Sequence, residues 1–124
     1  MTSLLFADID KLPFKPSSVD IIFSNLSLQW CEQNTALFSN LKKTLNKNGV
    51  AVITTLVQGS LFELEQAWLE VDKAHHVNDF INPNDLLQLI EYSGFHVEDY
   101  FIDHATQWFS SLPMLLNSIK GIGA

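Results

Sequence analysis

At 124 residues, 47% of them apolar, the chain can build one core and bury about 65% of the surface its unfolded form exposes. No stretch reaches the ~18 apolar residues of a membrane span, and the net charge of −7, with seven basic residues of which none is arginine, removes the fork that grips phosphates and guanines and argues against nucleic acid. Cys31 is the only cysteine, so an internal disulfide and a multi-thiolate metal site are excluded; with no basic-then-apolar leader read in the sequence, a reducing cytoplasm is the expected setting.

In chain order, the apolar run MTSLLF reads as a strand with Asp8 and Asp10 just past its end, where an open α/β sheet places its ligand crevice. VDIIFSN (Val19 to Asn25) follows the KPSS turn residues and reads as a buried strand. Asn34 is positioned to cap a helix carrying Leu37, Phe38, Leu41 and Leu45, with Asn48-Gly49 as its left-handed stop. VAVITTL (Val50 to Leu56) has the nearly continuous apolar character of a strand covered on both faces. LFELEQAWLEVDKAH, after Gln58-Gly59-Ser60, places Leu61, Leu64, Trp68 and Val71 on one helical stripe. Asn82-Pro83 caps and starts a further helix with Leu86, Leu87 and Ile90, ending at Gly94. HVEDYFIDHATQWF (His96 to Phe109) reads as a charged edge strand, and a last helix surrounds Leu115, Leu116 and Ile119. The order is that of an α/β protein in a single domain, 1–124.

Four runs now carry a resemblance: ADIDKLPF (Ala7 to Phe14), SNLSLQWC (Ser24 to Cys31), TTLVQGSLFELEQAW (Thr54 to Trp68) and KGIGA (Lys120 to Ala124). In order and spacing they resemble the malonyl-acyl-carrier-protein O-methyltransferases of biotin biosynthesis, over essentially the whole chain. The first two runs occur widely among class I S-adenosylmethionine methyltransferases, whereas the third is the distinguishing one. The resemblance implies part of a doubly wound, Rossmann-like sheet, from the end of strand three to the region after strand six. The cofactor-binding strands with their glycine-rich turn, and the last strand, are then expected to lie outside this chain.

The same resemblance implies site residues. Asp8 would accept from the adenine amine, with Ile9 meeting the adenine edge; Ser24, Asn25 and Leu26 would meet the methionine end of S-adenosylmethionine. By chemistry alone Asp8 could equally be a solvated acid near a chain end, and Ser24 and Asn25 ordinary strand-end caps. Trp30, His76 and Lys120 are candidates for substrate binding, although Asn117 stands where the resemblance has arginine. Aromatics such as Trp30, Trp68 and Trp108 are at least as often core residues. His75 and His76 diverge by about 100° on a helix and cannot chelate together, so no metal is expected. Cys31 has no base at motif spacing and reads as a structural thiol.

No catalytic base is assigned, because a malonyl carboxylate is already an anion and the sulfonium methyl is already activated; positioning and desolvation suffice. The implied partner is malonyl-acyl-carrier protein. Three readings follow: a piece of a methyltransferase that neither turns over nor binds the cofactor usefully alone, one half of an enzyme completed by a separate amino-terminal half, or a self-associating module without catalysis. Unpaired strand edges predict a homo-oligomer.

Overall fold

The computed structural model describes residues 2–32, 34–73 and 79–121. Its centre is a two-stranded parallel sheet of β1 (Val19–Asn25) and β2 (Leu45–Thr54), joined by helix α1 (Thr35–Thr44). Helices α2 (Phe62–Val71), α3 (Pro83–Tyr92) and α4 (Leu112–Gly121) follow, and short 3₁₀ turns form at Ile9–Lys11 and Leu28–Trp30. This is a partial Rossmann-like α/β fold.

The core lies on one face of the sheet. Leu37, Phe38 and Leu41 recur at helical spacing on α1 and are buried with Leu28. Ile22 of β1, Ile53 of β2, Leu86, Leu89 and Ile90 of α3, and Phe95 pack around them. Each fully buried side chain of this kind contributes about 1.5–3 kcal/mol, so this cluster is the main source of the fold's stability. Lys42 adds a cation–π contact, its Nζ 5.6 Å from the Phe95 ring centre.

Both expected helix caps form. Asn34 Oδ1 accepts from the Leu37 N–H at 3.0 Å, and Asn82 Oδ1 accepts from the Asn84 N–H at 2.9 Å ahead of Pro83. Gly94, at φ +98°, turns the chain after α3.

Four element readings are corrected. Helix α1 stops at Thr44 rather than at Asn48-Gly49: Leu45 is already extended, and the N–H groups of Ser17 and Ser18 take the Lys43 and Thr44 carbonyls, each at 2.9 Å. The incoming loop thus satisfies carbonyls that a glycine cap would otherwise serve. Gly49 instead sits in an irregularity of the sheet, where pairing jumps from Val19↔Leu45 to Ile21↔Val50, and its φ is not positive. Residues 2–8 and 96–109 form no strand, since no described neighbour offers them a ladder. Finally, β2 is not covered on both faces: Val50 and Val52 remain exposed. No helix of the described residues is long and apolar enough to cross a membrane.

Candidate functional site

The carboxyl ends of β1 and β2 lie side by side, with Ser24 opposite Ile53 and Asn25 opposite Thr54. The chain leaves β1 through Leu26, held in the left-handed region at φ +48°. A branched side chain there costs on the order of 1–3 kcal/mol and persists only where its surroundings over-determine it. Here they do. The Leu26 N–H donates to the Thr54 carbonyl at 3.0 Å and approaches Thr54 Oγ1 at 3.2 Å. The Leu26 carbonyl accepts from Gln29 Nε2 at 2.8 Å.

The hydroxyl of Thr54 donates to Asn25 Oδ1, that of Ser27 to the Asn25 carbonyl at 3.0 Å, and that of Thr55 to Gln29 Oε1 at 3.3 Å. Gln29 is buried, so its amide locks the turn rather than facing solvent. These bonds fix the backbone that the sequence nominated for cofactor contacts. Each carbonyl oxygen has two lone pairs, so those of Asn25 and Leu26 retain capacity for one more donor.

Asp8 stands at the start of the first 3₁₀ turn, one carboxylate oxygen accepting from the Asp10 N–H at 3.1 Å. The residue is exposed, which leaves its second oxygen open to a ligand. Ile9 is half-buried and packs against the Leu28–Phe38 cluster, as does Cys31. The two 3₁₀ turns are therefore neighbours. Burial, then the charges of Asp10 and Asp8, push the Cys31 thiol upward, away from the thiolate a nucleophile needs.

Trp30 closes the second turn. Its ring meets Phe80 edge to face, with centroids 6.3 Å apart and planes at 67°. Phe80 is carried there by a tie between loops, in which the Gln58 N–H donates to the Ile81 carbonyl at 2.9 Å and Asn82 Nδ2 to Gln58 Oε1 at 3.0 Å. Trp30 Nε1 is buried and has no acceptor among the described residues, an uncommon condition for an indole donor.

Asp8, Ile9, Ser24, Asn25, Leu26 and Trp30 thus border two adjoining turns and the strand ends. Lys120 does not join them: it is exposed in the last turn of α4, and no described hydrogen bond or ion pair links it to that group. His76 lies outside the described residues. Sequence reasoning missed Thr54 and Gln29. Only a buried glutamine flanked by apolar residues could have hinted at them, since the pairing of Asn25 with Thr54 is a matter of register. Among the described residues no cluster of three or more His, Cys, Asp or Glu could hold a metal.

Residues 2–53 match the family model of a methyltransferase domain. A malonyl-[acyl-carrier protein] O-methyltransferase from Yersinia pestis is 37% identical over 120 residues, 97% of this chain and 44% of that protein. The enzyme of the same name from a Marinomonas species is 32% identical over 99% of this chain and 46% of its own. A bifunctional biotin biosynthesis protein, BioHC, from Cellvibrio japonicus is 38% identical over 94% of this chain and 23% of its own. Among solved structures, an S-adenosylmethionine-dependent methyltransferase from Thermotoga maritima superposes with a TM-score of 0.58 at 18% identity, covering 75% of this chain and 45% of that one. The chain spans less than half the length of these relatives. Along nearly all of its own length it resembles the malonyl-[acyl-carrier protein] O-methyltransferases, and its fold is part of an S-adenosylmethionine-dependent methyltransferase fold.

Proposed function

We propose that this chain supplies the adenine and methionine ends of the cofactor site, and one wall of the acyl site, of a methyltransferase that esterifies the free carboxylate of malonyl-acyl-carrier protein in biotin synthesis. The observation that carries this reading is the likeness to those enzymes across at least 94% of the chain, combined with a strand-end turn strained at Leu26 and locked by Thr54 and Gln29.

The residues present fit part of a cofactor. Asp8 keeps one carboxylate oxygen for an adenine amine, and the Asn25 and Leu26 carbonyls keep one lone pair each for an ammonium group. Ile9, anchored in the core on one side, fixes the height of the turn against which the adenine edge lies. Trp30 brings a buried indole N–H that lacks an acceptor, a donor for an acyl oxygen, while Phe80 beside it excludes water. Bound here, S-adenosylmethionine supplies a methyl group already activated on a sulfonium. The malonyl carboxylate is ionised at neutral pH, so the step requires no proton-transfer group from this chain, which acts by positioning and by drying the site.

Contacts to the middle of the cofactor are missing from this set, and the chain by itself is inactive in this reading, needing a polypeptide equivalent to the rest of its relatives. The test is transfer of labelled methyl to malonyl-acyl-carrier protein, by the chain alone and with the unmatched portion of the Yersinia pestis relative supplied separately. Methylation is expected only in the mixture, and on the carrier-bound acid in preference to free malonate. Turnover by the chain alone, or equal methylation of unrelated acids by the mixture, refutes the assignment.

A further inference from the structure

Gln29, only 8% exposed, bridges the exits of both strands. Its Nε2 donates to the Leu26 carbonyl at 2.8 Å, and its Oε1 accepts from the Thr55 hydroxyl, just beyond β2, at 3.3 Å. The Leu26 carbonyl can only accept, so it fixes which way the amide is turned. Bonds of this kind add little net stability, because water serves the same groups in the unfolded chain. Their consequence here is directional. A carbonyl oxygen accepts along two lone-pair directions near the plane of the C=O group; with one taken by a buried amide, the other is the one left for a second donor. Leu26 is also pinned at its other end, where its N–H donates to the Thr54 carbonyl at 3.0 Å and its φ is +48°. Held at both N–H and carbonyl, the residue has little freedom to turn its acceptor away. The Asn25 carbonyl has a comparable internal donor in the Ser27 hydroxyl at 3.0 Å, but Ser27 is exposed whereas Gln29 is buried, so Gln29 is the fixed member of the pair.

We propose that Gln29 is a positioning residue for the cofactor: by occupying one lone pair of the Leu26 carbonyl and tying the turn to Thr55, it aims the remaining lone pair at the ammonium group of S-adenosylmethionine. This rests on the reading of function given above, in which the Asn25 and Leu26 carbonyls receive that group. The residue type suits the task. An amide carries a donor and an acceptor in one rigid plane, whereas a carboxylate has no donor for the Leu26 carbonyl and a thioether has none for either partner.

Two measurements test the role. In the chain alone, Gln29→Met keeps the reach of the side chain and removes both bonds. Hydrogen exchange at the Leu26 amide should then speed roughly tenfold, with the amides of β1 changed less than about twofold; Leu86→Ala, a truncation beside the core, should not single out Leu26. With the unmatched portion of the Yersinia pestis relative added, calorimetry compares S-adenosylhomocysteine, which carries the ammonium group, with methylthioadenosine, which keeps the adenosine and thioether but lacks the amino-acid end. Gln29→Met should weaken the first roughly tenfold and leave the second unchanged, and Gln29→Glu should do the same at neutral pH. Should Gln29→Met fail to fold, Thr55→Val, which releases the far end of the amide, decides in its place through a smaller loss with the same selectivity. Equal weakening of both ligands, or of neither, overturns the positioning role, as does a Leu26 amide that exchanges no faster than in the wild type. A mixture in which even the wild-type chain binds neither ligand refutes the reading of function, and the proposal falls with it.

Discussion

Replacing Gly49 with alanine tests the correction at the end of α1. A Cβ built on Gly49 would lie 2.9 Å from Leu45 Cδ2, 3.0 Å from the Asn46 carbonyl oxygen and 3.1 Å from that of Asp20. Two of these neighbours are backbone, and the third belongs to a side chain only 4% exposed, so Leu45 cannot swing aside without leaving the core. Overpacking at such a site costs about 1–3 kcal/mol. Against it, alanine restricts the unfolded chain and returns about 0.4–1 kcal/mol. The steric effect wins, for a net loss near 1 kcal/mol. At the urea slope of about 1–3 kcal/mol per molar typical of small domains, the unfolding midpoint should fall by roughly 0.5 M with the slope unchanged. Wild type and variant are compared at one protein concentration, because association shifts apparent stability. In a Leu45→Ala background, which removes the shortest contact, the additional loss from Gly49→Ala should shrink but not vanish, because the carbonyls of Asn46 and Asp20 remain. A Gly49→Ala protein as stable as wild type, or more so, would show that position 49 is an open helix stop after all.

Asn34→Ala should lower stability by about 1 kcal/mol, and Asn34→Gly by only a few tenths, because the Asn34 cap holds the N-terminus of the helix that carries the core; equal losses in urea unfolding would refute a capping role. With the Cys31 thiol pushed up by burial and by Asp10 and Asp8, its alkylation near pH 8 should be slower in the folded chain than in urea. The gap should close as pH rises through the folded value. Because the raised value favours the neutral thiol, its stabilisation is present below the free-thiol range near ~8.5 and is lost at higher pH. Asp8→Asn with Asp10→Asn should speed alkylation only partly, since burial remains the larger cause; no change in rate would refute the arrangement of the two turns. Calorimetric titration of the chain alone with S-adenosylmethionine should show no micromolar site. If two charge-assisted hydrogen bonds to the middle of the cofactor are lacking, at ~1.5–3 kcal/mol each, affinity falls roughly 10²- to 10⁴-fold; micromolar binding abolished by Asp8→Ala would contradict this.

Local chemistry alone determined a good deal of this protein. Asn34 and Asn82-Pro83 announce their helices because a capping side chain needs only the next three residues to act. Val19–Asn25 declares itself a strand, and Leu37, Phe38 and Leu41 declare the buried face of α1, because burial period and helical period coincide within a few turns. The resemblance to the methyltransferases was legible for a similar reason, residing in contiguous runs. The tertiary structure decided everything that depends on a neighbour distant in sequence. Residues 2–8 and 96–109 have strand-like composition but no ladder partner among the described residues, and backbone donors and acceptors form a strand only when another strand meets them. Asn48-Gly49 has the composition of a helix stop, yet Ser17 and Ser18 had already taken the helix's last carbonyls. Leu26 gives no hint in the sequence of its left-handed backbone, which exists because Thr54 and Gln29 arrive from β2 and the following turn to hold it. The apolar residues of β1 and β2 specify burial on two faces, but one face remains bare, because hydrophobicity requires a cover without saying which polypeptide supplies it.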